Sequence, residues 1–139
     1  MQSVQIFWPM LVVLAIPVFV LLLNGKRKSA DKKEGSVKPE AAINNTAWSL
    51  PVVLTSNALA NQFQLPVVFY VLSFILFNIG AVSSLVIVLS WIFAVTRWAH
   101  VVVHVSSNNV PLRLRFFVLG AITLLILFGV TVVSLASLG

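Results

Sequence analysis

The chain has no cysteine, only three acidic residues and only two histidines among 139 residues. Without cysteine there is no disulfide, no thiolate metal site and no cysteine nucleophile, although the compartment stays open. Without acids outside one short segment there is no paired-carboxylate acid–base chemistry in the rest of the chain. All three acids, Asp31, Glu34 and Glu40, lie between residues 31 and 40. Charge of either sign is scarce, at 9% of residues, whereas hydrophobic residues make up 60%. The mean hydropathy is +1.06. A soluble domain of this length cannot bury that much apolar surface. The composition therefore implies one all-α integral membrane domain, with no room for a second.

Four apolar segments are expected as membrane helices, at about residues 6–23, 57–79, 81–105 and 112–138. The first, at ~18 residues and ~27 Å of helix, is just long enough to span. Pro17 lies inside it and should bend it. Residues 24–56 read as a loop. Its first part is rich in Lys, Glu, Ser and Gly and is expected to be flexible, and its end, with Trp48 and Pro51, is expected at the membrane interface. Asn78-Ile79-Gly80 is a tight connection. Ser106 to Asn109 forms the last turn, with Asn109 as an N-cap and Pro111 in the first turn of the fourth helix.

Six of the nine bases, Lys26, Arg27, Lys28, Lys32, Lys33 and Lys38, fall in the first loop. The positive-inside rule places that loop in the cytoplasm and both termini outside it. Arg97, Arg113 and Arg115 then also lie toward the cytoplasmic side. The high isoelectric point, near 10.6, is topology signal rather than a nucleic-acid footprint, because no basic–aromatic interleaving accompanies it. The first helix reads as retained rather than as a signal peptide, since its positive cluster follows the apolar run. Asn44-Asn45-Thr46 matches a glycosylation acceptor, but in a cytoplasmic loop it is a chance match.

Two polar stripes cross this apolar background. Asn57, Asn61 and Gln64 are spaced four and three apart, on one face of the second helix. Arg97, His100 and His104 are spaced three and four apart, on one face of the third. Ser83 and Ser90 extend that stripe weakly toward the other leaflet. Ionisable groups at membrane depth are costly and face protein or a water-filled cavity. The bland alternatives are interhelical hydrogen bonding by the amides and snorkelling by Arg97. Two histidines at i, i+4 can bind zinc, but the membrane region supplies no third ligand. Pro66 cannot donate to the carbonyl of Gln62, which predicts a bend beside the amide stripe. Arg113 and Arg115 are about 200° apart on a helix, so one meets lipid phosphates and the other the bundle. With the helix N-terminus, the inward arginine favours an anion such as a carboxylate or thiolate.

Taken together, Asn61-Gln62-Phe63-Gln64-Leu65-Pro66, Arg97-Trp98-Ala99-His100-Val101-Val102-Val103-His104 and Asn108-Asn109-Val110-Pro111-Leu112-Arg113 resemble the MAPEG family, the membrane-associated proteins in eicosanoid and glutathione metabolism, and most of all its small bacterial members. The resemblance covers nearly the whole chain. It implies a four-helix bundle assembled as a homotrimer in the bacterial inner membrane. It also implies glutathione bound between subunits near the cytoplasmic side, with Arg113 as the catalytic, thiolate-stabilising residue and Arg115 as its competitor. Asn57, Asn61, Gln64, Arg97, His100 and His104 would be the remaining glutathione-site positions, with no metal.

The chain departs from the enzymes of that family at several of these positions. Where those enzymes carry arginine and glutamate on the second helix, this chain has Asn57 and Gln64. His100 and His104 stand where they carry tyrosines. Each lost charge partner on the second helix weakens glutathione by about 1.5–3 kcal/mol if uncompensated. Two readings therefore stay open. One is a glutathione-dependent transferase or peroxidase acting on lipophilic electrophiles. The other is a non-enzymatic ligand-binding or scaffold trimer with an altered pocket. A proton or ion pathway through the histidines is disfavoured by the lack of membrane carboxylates.

Overall fold

The computed structural model describes residues 3–139. Its main elements are α1 (Phe7–Lys33), α2 (Leu50–Asn61), α3 (Leu65–Asn78), α4 (Ser84–Val105) and α5 (Val110–Ala136). A short 3-10 turn, Val4–Ile6, leads into α1, and two more, Pro39–Ala42 and Asn45–Ala47, lie between α1 and α2. No strand occurs among the described residues. Taking α2 and α3 as one interrupted segment, four helical segments are long and apolar enough to cross a membrane. The protein is an all-helical integral membrane protein.

α4 is the most buried span. It packs against α1, α2 and, most extensively, α5, while α3 packs against α5. Its buried positions, among them Val86, Ser90, Phe93, Arg97, His100, Val101 and His104, repeat at the three-to-four-residue helical period. One face of α4 is therefore the spine of the core, and the predicted stripe of Arg97, His100 and His104 lies on it. Phe69 of α3 packs against Phe93 of α4, with ring centroids 4.6 Å apart.

The first loop starts later than expected. Residues 24–33 continue α1 as helix rather than forming a flexible segment. Lys, Arg and Ala are good helix formers and no proline interrupts them. The extension is also tied down from the side. Asn24 Oδ1 accepts from Thr55 Oγ1 at 2.8 Å, and Asp31 accepts from the Ser49 backbone N–H at 3.1 Å and from its hydroxyl at 2.8 Å. Arg27 donates to the carbonyls of Pro51 and Val105. Gly35, at φ +70°, closes the helix with Gly35 N–H on Lys32 and Ser36 N–H on Asp31, a left-handed cap that favours glycine.

The second span also differs from the expected 57–79. It begins at Leu50, where Pro51 occupies the first turn and has no use for a donor. It breaks between Asn61 and Leu65 instead of merely bending, because Pro66 cannot donate to the Gln62 carbonyl and Gln64 leaves the helical region at φ −107°, ψ −107°. Gly80, at φ +69°, caps α3 in the same left-handed manner, with Ala81 N–H on the Leu76 carbonyl, so α4 starts at Ser84 rather than near residue 81. Ser83 caps α4 and Asn109 caps α5, each side chain accepting from a backbone N–H three residues on. α5 accordingly begins at Val110 and ends at Ala136.

Candidate functional site

At the end of the bundle where α4 finishes and α5 starts, a concavity of ≈ 320 Å³ lies between α2, α4 and α5. Asn61, Gln64, His100 and Arg113 supply its polar wall, and Val110, Leu114 and Phe117 its apolar wall. Three grooves of similar size, such as the one along Ile87, Trp91 and Val95 on α4, are lined almost wholly by apolar side chains, whereas one at the opposite end of α4 is lined by Gln5 and serines and carries no charge. The concavity beside α5 therefore differs from them in chemistry, not size.

The histidines are held in defined roles. His100 Nδ1 lies 3.1 Å from the carbonyl of Arg113. A carbonyl only accepts, so Nδ1 carries a proton in this contact and the neutral ring presents Nε2 as an acceptor. That Nε2 is buried and finds no partner within the chain. His104 Nδ1 lies 3.5 Å from the Asn61 amide nitrogen, which joins the stripe on α4 to the end of α2, whereas Gln64 lies in the break beyond it, so the three amides do not share one helical face as expected. The two imidazoles meet edge to face at 5.8 Å between centroids. Both are nearly fully buried.

Arg97 is the largest fully buried side chain, 1% exposed. Its Nε and Nη2 have no hydrogen-bond partner among the described residues. It sits one turn deeper along α4 than His100. No Asp or Glu occurs anywhere after Glu40, and the carboxylate that α1 carries, Asp31, is bonded to Ser49 near the end of that helix. Arg113 is half-buried at the start of α5 and donates through Nη1 to Asn108 Oδ1 at 2.7 Å. Asn108 holds its position at φ +49°, a left-handed backbone that asparagine tolerates.

The remaining site positions named from the sequence fall elsewhere. Arg115 is exposed and does not line the concavity. Asn57 is exposed on α2, where its Oδ1 accepts from Asn45 at 3.4 Å, and it is not among the lining residues either. The structure thus brings Asn61, Gln64, His100 and Arg113 to one place, His104 and Arg97 into the buried layer behind them, and leaves Asn57 and Arg115 outside. Among the described residues no group of three or more metal-ligating side chains is gathered.

Arg27 was read from the sequence only as topology charge. It is half-buried, and it bridges the start of α2 to the end of α4, donating to the Pro51 carbonyl at 2.9 Å and the Val105 carbonyl at 2.7 Å. Asn24, Arg27 and Asp31 are spaced three and four apart, the same helical signature as the stripe on α4. That spacing was the available signal.

Four membrane-capable helices around a buried polar layer define a polytopic helical membrane protein with an internal polar site. The chain belongs to the MAPEG family, whose family model matches residues 6–133, nearly the whole chain. No curated protein and no solved structure matches it.

Proposed function

We propose that the chain is a membrane thiol-transfer protein of the glutathione transferase or peroxidase type found in the MAPEG family. It binds an acidic thiol of the glutathione class in the concavity between α2, α4 and α5 and delivers its sulfur to a lipophilic electrophile. With no cysteine in the chain, the thiol must belong to the ligand. The observation that carries this reading is the convergence of Arg113, His100, Asn61 and Gln64 on one concavity at the N-terminus of α5. Arg113 and the positive end of the α5 dipole favour the thiolate over the thiol. The thiolate then attacks an electrophilic carbon, forming a carbon–sulfur bond as the carbon–leaving-group bond breaks and the leaving group departs with the electron pair. With a hydroperoxide, two thiols are oxidised to a disulfide as the peroxide becomes alcohol and water. The apolar wall of Val110, Leu114 and Phe117, of which Val110 and Leu114 are exposed, suits a lipophilic substrate.

The biological setting follows from the same reading. The basic end of the bundle, with Lys26, Lys32, Lys33 and Lys38, faces the cytoplasm of a bacterial inner membrane, both termini lie outside the cytoplasm, and three copies assemble as a homotrimer. The test uses purified protein in lipid nanodiscs, titrated with glutathione and with N-acetylglutathione. Saturable binding with the ultraviolet absorbance of a thiolate is expected, lost in Arg113→Ala and retained in Arg115→Ala. Absence of binding and of thiolate with both thiols at millimolar concentration rejects the proposal.

One observation favours a second reading. Arg113 already donates to Asn108 at 2.7 Å, so part of its guanidinium serves the turn between α4 and α5. A non-enzymatic ligand-binding or scaffold trimer would keep that bond permanently. A stable trimer with blank thiol assays would support it.

A further inference from the structure

Charge in and behind the concavity is of one sign. Arg113 lines it, Arg97 is buried behind it, and none of the lining side chains is a carboxylate. None of the chain's three acids lines it. Asp31 is buried and committed to the backbone N–H and hydroxyl of Ser49, and Glu34 and Glu40 are exposed in the segment that follows α1. A second copy carries the same three acids and no others. An anionic ligand group therefore finds a cation here, while a ligand ammonium finds only neutral acceptors, the side-chain oxygens of Asn61 and Gln64. In a low-dielectric surrounding an ammonium close to two guanidinium groups is repelled as well as left unneutralised.

From this we infer that the natural thiol ligand is an anion whose polar end carries no free ammonium, either because it has none or because its amine is acylated. This rests on the thiol-transfer reading of the same site and specifies its ligand. Glutathione has two carboxylates and one free ammonium, so it is suited only in part. Acylating that amine removes the misfit and leaves the thiol and both carboxylates in place.

The experiment compares glutathione with N-acetylglutathione by calorimetric titration of the full-length protein in nanodiscs, and repeats the comparison with Gln64→Glu. Wild type is expected to bind N-acetylglutathione about tenfold more tightly, the scale of one charge-assisted hydrogen bond. Gln64→Glu, which adds an acid at the mouth of the concavity, is expected to reverse the order. Equal or tighter binding of glutathione by wild type overturns the inference and leaves thiol transfer standing. So does an unchanged order in Gln64→Glu. Failure of both thiols to bind overturns both.

Discussion

The guanidinium of Arg27 on α1 donates to the main-chain carbonyl of Val105, the last residue of α4, at 2.7 Å, and its other terminal nitrogen donates to Pro51 at 2.9 Å. One side chain thereby satisfies an orphan carbonyl at the end of α4, where a cation also complements the helix dipole, and holds α1 and α2 to it. Val105 follows His104 directly, so the strap fixes the end of the helix that carries the polar stripe.

Arg27→Ala should therefore destabilise the bundle by about 2 kcal/mol, the range for hydrogen bonds made by a charged group. Thermal unfolding in detergent, followed by circular dichroism, measures it. Arg27→Lys should recover part of the loss, because a lysine ammonium can reach one carbonyl but not fork between two. An alanine variant that melts with wild type would show that the strap carries no weight.

Asp31 anchors the far end of the same extension. Its carboxylate accepts from both the backbone N–H and the hydroxyl of Ser49, immediately before α2. Asp31→Ala should cost about 1–3 kcal/mol by stranding those donors. Limited proteolysis between Gly35 and Ser49 should accelerate in Asp31→Ala and stay unchanged in Glu34→Ala, whose side chain is exposed. Equal cleavage of the two variants would remove the anchoring role.

How much of this was legible beforehand depended on which signal each feature left. The stripe of Arg97, His100 and His104 could be read because its three-and-four spacing stands out against apolar residues, and burial of one α4 face follows from it. The cap at Asn109 and the turn at Gly80 act through local chemistry that a sequence carries in full, whereas Ser83, expected on the polar stripe, instead caps α4. The continuation of α1 to Lys33 was obscured because Asn24, Arg27 and Asp31 have the same spacing but lie among exposed lysines, where polarity reads as loop. Their helical face exists only because Thr55, Ser49 and the Val105 carbonyl, 18 to 78 residues away, supply partners. The division of labour between Arg113 and Arg115 was open for a related reason. Two residues apart on a helix point to opposite sides, but only the packing of α5 on α4 decides which side is the concavity.

That packing has its own pressure point. At Gly120 of α5 a Cβ would lie 3.2 Å from Thr96 Oγ1 and 3.7 Å from the Phe93 ring, so the two helices approach closely because a side chain is missing. Gly120→Val should separate α4 from α5 and lower stability by about 1–3 kcal/mol through overpacking. Gly129→Val, on the same helix but with open space around it, should be far milder. Unfolding of both variants by sodium dodecyl sulfate titration decides it, and equal losses would place the cause in helix propensity instead.

Arg97 gives the prediction that separates stability from function. A guanidinium 1% exposed, with two nitrogens unpartnered among the described residues and no ion pair to a carboxylate, does little to hold the fold together. Replacing a buried charge by an apolar side chain of similar length is often neutral or stabilising, because desolvation of the charge disappears with it. Arg97→Met should therefore melt at or above the wild-type temperature. The same change removes a positive charge from behind the concavity, so binding of an anionic thiol should weaken by about tenfold, on the scale of one charge-assisted interaction. A variant more stable and less able to bind would mark Arg97 as a residue kept for a ligand at the expense of the fold. Arg97→Met that unfolds readily would mean that the guanidinium is held by the bundle itself, and the electrostatic account of the site would lose its deeper cation.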